Sequence, residues 1–407
     1  HDSSYKQDEG IRYNARDMAI SRASMENIPI LLSTSIPSLE TYNNVKNKKY
    51  NFTKLEKRYK NFSLPATEVV NLNLDRKKKN IWLDSKTLNL VRKYLEKKDQ
   101  VLFFLNRRGY APFMICKKCG SKLNCPNCSI FLTFHKHINR AMCHHCGYKR
   151  STNEKCKKSE SNCEFQMYGP GVEKIFAELK QIFPEKKIKI LSSDFLNKKK
   201  EAKNLLADIE NNEVNILVGT QLISKGFNFP NLNCIVVVDA DFSGMGFDLR
   251  STEKNIQLYN QLSGRAGRFS KDSLVIYQTF NPSDETLKNV IENDPNKFLE
   301  EEIHLRKEKN LPPFTRLIAF IVASKNERDG FLEAQKIKKN LSSLQNIEVM
   351  GPVTSPIFKI KNKYRTRLLL RSKSNLFIQK EVAKILKKIN LSKKIKLTVD
   401  VDPLNFS

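Results

Sequence analysis

Hydrophobic positions along the chain follow two alternating periods. Residues 101–105, 189–191, 215–218, 234–238 and 274–279 are short, nearly unbroken apolar runs of strand length. Between them the period becomes helical. Val172, Ile175, Phe176, Leu179 and Ile182 share one face, and Leu88, Val91 and Leu95 share another, with a cap predicted near Asp84 and Ser85. Strands alternating with helices predict a parallel α/β sheet. Residues 116–163 interrupt that alternation, between the strand at 101–105 and the helix at 172–183, so they read as an insertion.

A second pattern begins after Leu311-Pro312-Pro313. A strand is predicted at 317–323, a helix at 328–344, strands at 347–353 and 366–371, a helix at 376–390 and a strand at 395–401. The order βαββαβ suggests a ferredoxin-like two-layer domain. Its last helix turns Val382, Ile385, Leu386 and Ile389 inward and Lys380, Lys384, Lys387 and Lys388 outward. The polar, weakly periodic stretch 46–79 reads as a linker. The expected division is therefore 1–45, the linker, a sheet domain over 80–115 and 164–300, the insertion 116–163, and a C-terminal domain 310–407. The longest apolar runs, 317–323 and 234–240, fall far short of the ~20 residues that span a bilayer. The N-terminal stretch is polar, has no signal-peptide pattern and no initiator Met, and suggests a fragment.

Charge narrows the set of partners. The 407 residues carry 72 Lys and Arg against 43 Asp and Glu, a net +29. Residues 359–399 hold fourteen Lys or Arg and one acid, Glu381. Such clustering suggests a polyanionic partner; a Lys/Asn/Ile-rich coding bias is the plainer alternative.

Eight of the nine cysteines lie at Cys116, Cys119, Cys125, Cys128, Cys143, Cys146, Cys156 and Cys163. Three Cys-x2-Cys knuckles this close predict structural zinc, with four thiolates around each of two ions. Cys125, Cys128, Cys143 and Cys146 have ribbon spacing and form the inner set. By exclusion Cys116, Cys119, Cys156 and Cys163 form the outer set, whose last pair has the irregular spacing x6. His135, His137, His144 and His145 are possible substitutes. A closed four-cysteine site leaves no position for a reacting water. Disulfides are the weaker reading for a basic α/β protein without a secretory signal. Lys117, Lys118, Lys122, Arg140, Lys149 and Arg150 either line a nucleic-acid surface or keep the insertion soluble.

Four further segments stand beside the apolar runs: Ser33-Thr34-Ser35-Ile36-Pro37 after residues 28–32, FLNRRGYAP at 104–112, GTQLISKGFNFP at 219–230, and QLSGRAGR at 261–268. Amides and hydroxyls at strand ends can hold phosphates. Arg265 and Arg268, three apart, are expected on one helical face, from which guanidinium groups can reach a γ-phosphate. Asp239 and Asp241 close a strand and are candidates for linking nucleotide state to DNA contact.

In this order the motifs resemble the second half of a superfamily 2 helicase, and the nested cysteines narrow the resemblance to the PriA family of bacterial replication restart helicases. It covers essentially the whole chain, through Gly351-Pro352-Val353 to the closing VDVDP at 399–403. His1 would be the last residue of the acidic DEEH box. The resemblance implies a RecA-like helicase lobe bearing a two-zinc insertion, the end of a first lobe at the N-terminus, and a C-terminal domain that helps bind branched DNA and single-strand-binding protein. It implies an ATP-dependent 3′-to-5′ DNA helicase, bacterial and cytoplasmic at the nucleoid. Such a helicase recognises stalled forks and D-loops and starts primosome assembly.

Residue by residue, Tyr5, Arg12 and Tyr13 would lie in the aromatic-rich loop that couples DNA contact to hydrolysis, and Thr34 in the lobe-coupling motif. Asn106, Arg107, Thr220 and Gln221 would sit near the DNA track or lobe interface. Gln261, Arg265 and Arg268 would face ATP, Arg268 as the arginine finger. The chain departs from the pattern in lacking a G-x-x-x-x-G-K-[ST] loop and the Asp and Glu that would hold magnesium. ATP and magnesium are therefore expected only in a complete protein, and the chain alone is expected to be inactive. The alternative is a motorless zinc- and DNA-binding scaffold for primosome assembly. An RNA helicase is disfavoured by the nested cysteines.

Overall fold

The computed structural model describes residues 1–7, 10–55, 62–73, 82–105, 113–116, 123–127, 132–135, 140–143, 148–151, 165–168, 171–191, 199–220, 229–241, 250–270, 272–292 and 294–404. The chain opens with α1 (Ala15–Glu26), α2 (Leu39–Lys46), β1 (Ala66–Asn71), α3 (Ser85–Glu96) and β2 (Gln100–Phe104). Five short strands follow: β3 (Phe113–Cys116), β4 (Thr133–His135), β5 (Arg140–Met142), β6 (Lys149–Ser151) and β7 (Phe165–Tyr168). Next come α4 (Val172–Ile182), β8 (Ile188–Leu191), α5 (Lys199–Glu210), β9 (Ile216–Gly219), β10 (Leu232–Val237), α6 (Ser251–Ser263), β11 (Leu274–Thr279), α7 (Glu285–Glu292) and α8 (Pro295–Glu308). The last part is β12 (Thr315–Ser324), α9 (Glu327–Leu341), β13 (Ile347–Ile360), β14 (Lys363–Lys373), α10 (Gln379–Lys388) and β15 (Lys396–Val401).

Six strands form one parallel sheet in the order β1-β11-β10-β2-β9-β8. Alternate residues of each central strand enter opposite cores. Leu102, Phe104, Leu217, Ile235 and Val237 meet Tyr259 and Leu262 of α6. Val101, Phe103, Val218 and Val236 meet Val91 of α3 and Ile175 and Leu179 of α4. A sheet buried on both faces must be apolar throughout, which is why these strands read as unbroken runs rather than alternations. Asp84 caps α3 as predicted, its carboxylate accepting from Lys86 N–H at 2.8 Å.

β1 lies inside the stretch expected to be a linker. It is an edge strand along β11, and of its residues only Val70 is buried. One buried side chain in six residues leaves too little hydrophobic periodicity to mark a strand. The cysteine-bearing insertion forms its own antiparallel sheet, β6-β5-β4-β3-β7, between β2 and α4. The C-terminal βαββαβ unit is an antiparallel sheet in the order β13-β14-β12-β15, with α9 and α10 against one face.

Candidate functional site

His1 sits where the N-terminal segment meets α6. Its Nε2 lies 2.5 Å from Gln261 Nε2, and its Nδ1 lies 2.5 Å from Thr34 Oγ1. The Thr34 hydroxyl donates to Ile36 O at 2.9 Å, and its oxygen can still accept. An amide nitrogen only donates, so this pattern assigns the neutral tautomer: Gln261 N–H donates to Nε2, and Nδ1–H donates to Thr34. Two residues from motifs far apart in sequence are thus joined through one imidazole.

Around this contact lies a buried ionic clamp that the sequence reading missed. Arg250 donates to both carboxylate oxygens of Glu40, at 3.0 and 2.5 Å, and lies 3.8 Å from Glu253. Arg306, fully buried on α8, reaches Glu253 at 3.3 Å and Glu302 at 2.8 Å, and donates to Pro312 O. Glu253 also accepts from Leu39 N–H at the start of α2, and Gln257 donates to Pro37 O. Burial works against a charged Glu40, but the Arg250 guanidinium outweighs it and holds the carboxyl at about 2. Glu253 moves the other way, raised by burial and then by the charge of Glu40. The clamp fixes α2, and with it Thr34, on α6 and α8. Its members are distant in sequence and carry no motif.

The glycine-rich turn differs from expectation. α6 ends at Ser263, so Arg265 and Arg268 lie beyond it rather than on one helical face. Gly267 adopts φ +63°, and its N–H donates to Leu232 O at 3.1 Å at the head of β10. A glycine just past the end of a helix breaks the helical path. Ala266 is buried and Arg268 Nε donates to Gly264 O at 3.3 Å. Burial and then the charge of Arg268 lower the pKa of Arg265.

Thr220 directly follows β9. Asp241 accepts from Thr279 Oγ1 at 2.5 Å and from the amides of Phe280 and Asn281, and its own N–H donates to Asp239 at 3.1 Å. It ties the end of β10 to the end of β11. Asn106, Arg107 and Gln221 lie outside the described residues. Apolar residues 28–32 form no strand; Ile28, Ile30 and Leu31 are exposed.

Tyr5 and Tyr13 are exposed at 53% and 41%, as a stacking role would need. Arg12 is engaged elsewhere: it reaches Asp400 of β15 at 3.1 Å, and Lys6 reaches the same carboxylate at 2.8 Å. The loop is therefore pinned to the C-terminal sheet.

Within the insertion, Cys125 and Cys143 are buried in one cluster with Met114, Leu123, Leu132 and Ala141. Two thiols of the inner set meeting in one core suit a shared ion with soft sulfur donors. Cys116 ends β3, where it pairs with Phe165 of β7. Cys119, Cys128, Cys146, Cys156 and Cys163 lie outside the described residues. The β13–β14 hairpin reaches this cluster: Ile360 packs on it, and Asn362 N–H donates to Asn127 O at 2.9 Å.

Comparison with known families agrees with these parts. The helicase conserved C-terminal domain matches residues 148–270, the PriA DNA helicase Cys-rich region matches 125–150, and the primosomal protein N C-terminal domain matches 307–404. Among solved structures, yeast Dbp5 bound to RNA and ADP BeF3 aligns over 72% of this chain and 58% of that one, at 13% identity and a TM-score of 0.35. The parallel sheet and the matched domain define the class: a helicase C-terminal lobe carrying a cysteine-rich insertion and an antiparallel C-terminal domain. Replication restart protein PriA of Rickettsia conorii is 37% identical over 406 residues, covering 100% of this chain and 62% of the relative. Those of Haemophilus influenzae and Bacillus subtilis are 35% and 31% identical, with 56% and 51% of their lengths covered. The chain is similar to these PriA proteins over essentially its whole length, and it spans one half to three fifths of theirs.

Proposed function

We propose that the chain is the rear part of an ATP-dependent 3′-to-5′ DNA helicase that recognises stalled forks and D-loops and initiates primosome assembly. The observation that carries this reading is the His1 imidazole joining Thr34 to Gln261, because it couples a segment ahead of the sheet to the edge of the arginine-bearing turn. ATP and magnesium would be held by a preceding lobe, whose phosphate loop is absent from these 407 residues. Gln261, Arg265 and Arg268 would face the γ-phosphate, Arg268 as the finger. The exposed apolar run 28–32 suits a strand that such a lobe's sheet would cover.

Residues 1–45 then close the first lobe, 80–115 and 164–300 form the second with β1 added from 46–79, and 310–407 bind branched or single-stranded DNA, single-strand-binding protein and primosome partners. Tyr5, Tyr13, Asn106, Arg107, Thr220 and Gln221 would follow the DNA. Asp239 and Asp241 would brace the strand ends behind them. The inner zinc would be held by Cys125, Cys128, Cys143 and Cys146, the outer by Cys116, Cys119, Cys156 and Cys163. Each ion supplies a structural cross-link. No helix among the described residues is long and apolar enough to cross a membrane, and work at the nucleoid in the cytoplasm fits the proposed substrates.

An unwinding assay of the complete protein on forks with one single-stranded arm tests the reading. ATP-dependent opening only where the motor has a 3′-to-5′ track supports it. Opening with the reverse polarity, or none, contradicts it.

A further inference from the structure

The hairpin between β13 and β14 belongs to the C-terminal domain, yet its tip rests on the cysteine insertion, and the helicase chemistry above makes no use of that contact. The two turn residues, Lys361 and Asn362, have φ +48° and +63°. Lys359 pairs with Tyr364 across the strands, and the rings of Phe358 and Tyr364 pack with centroids 5.2 Å apart. The tip therefore takes its shape from contacts within the hairpin.

What the tip touches is specific. Asn362 N–H donates to Asn127 O at 2.9 Å, and Lys359 Nζ lies 3.5 Å from Pro126 O. Pro126 and Asn127 are the two residues between Cys125 and Cys128. Ile360 packs on the cluster that holds Cys125 and Cys143. The tip thus satisfies carbonyls in the middle of one knuckle and adds an apolar contact to the shell around two thiols of the inner set. Groups one step removed from metal ligands fix the ligands in place and control access of water to the metal. A lysine there also suits the charge, because four thiolates around one zinc ion leave about two negative charges.

We propose that the tip of the C-terminal hairpin is the outer support of the inner zinc site, with Ile360 and Asn362 as positioning residues that hold the knuckle of Cys125 and Cys128 in its ligating shape. This rests on the assignment of Cys125, Cys128, Cys143 and Cys146 to one ion. The insertion is then completed by a segment 233 residues further along the chain. Metal and docking are linked: whatever the docked tip adds to zinc affinity, bound zinc adds to docking.

The test uses the 407-residue chain loaded with zinc and follows transfer of the metal to a chromogenic chelator. Ile360→Asn should speed the loss of one ion per chain by about tenfold. Ile360→Val, which keeps the apolar contact, should hold the slow rate. Lys384→Gln, a charge change on α10 beside Glu381, should leave the rate unaltered. In the other direction, stripping the zinc should speed hydrogen exchange at the Asn362 amide while amides of β12 stay protected. A chain that binds no zinc removes the zinc assignment itself. Zinc bound but lost from Ile360→Asn at the unaltered rate overturns the support while that assignment stands. Equal loss from Ile360→Asn and Ile360→Val, or Asn362 exchange indifferent to zinc, overturns it as well.

Discussion

At the scale of single residues, Gly267 and Arg250 make the sharpest claims. A Cβ on Gly267 would sit 2.2 Å from Ser273 Oγ, and φ +63° strains any L side chain. Gly267→Ala should therefore cost roughly 1–2 kcal/mol from the left-handed backbone alone, read as a lowered denaturation midpoint. Arg250→Gln strands Glu40 in a buried setting beside Glu253, which keeps Arg306. Removing one partner of such a pair costs about 3–5 kcal/mol, measurable by denaturant titration near pH 7. The difference should depend on pH. Glu40 is held below its ordinary 4.5, at about 2, so its stabilising effect is full above 4.5 and is lost as pH falls toward 2. Glu253 is raised, so it contributes in the opposite sense, favouring the fold when protonated and less as pH rises. The gap between the unaltered protein and Arg250→Gln should narrow as pH is lowered from 4.5. A gap independent of pH would mean that Glu40 is not the partner that matters.

At the scale of elements, the β13–β14 hairpin ties the C-terminal domain to the cysteine insertion. Lys361 and Asn362 adopt φ +48° and +63° at its tip, the positive values that a two-residue turn between right-twisted strands needs. Ile360 is the apolar contact and Asn362 N–H the polar one. Ile360→Asp should undock the tip and speed exchange of the Asn362 amide by about tenfold or more, while amides of β12 stay protected. Equal exchange in both proteins would mean that the contact carries no weight. Legibility differs by element for physical reasons. β2, β9 and β10 are covered on both faces, and that burial is written directly as apolar runs. β1 is an edge strand and its sequence looks like any polar stretch. The sequence reading ran a helical face through Arg265 and Arg268; the turn that replaces it after Ser263 was not legible, because its conformation depends on Leu232 and Ser273 elsewhere in the chain.

At the scale of the whole molecule, the cysteine spacing and the ordered motifs carried the family, while the contacts that assemble the parts were invisible. Nothing near Glu40 announces Arg250, and nothing near Lys6 announces Asp400; such pairs exist only once the chain has folded. They link the N-terminal segment to α6, α8 and β15, so the described parts form one connected structure rather than separate beads. The chain alone, without a phosphate loop, should show no DNA-stimulated ATP hydrolysis; robust turnover by purified chain would contradict the assignment of its arginines to a shared site. The central claim is that the turn after α6 delivers a guanidinium to ATP held by a preceding lobe. The most direct measurement is DNA-stimulated ATP hydrolysis by the complete protein carrying Arg268→Ala. An arginine finger predicts a fall in kcat of about 10³ or more with the melting temperature unchanged. Hydrolysis within a few-fold of the unaltered protein would show that Arg268 does not face the nucleotide.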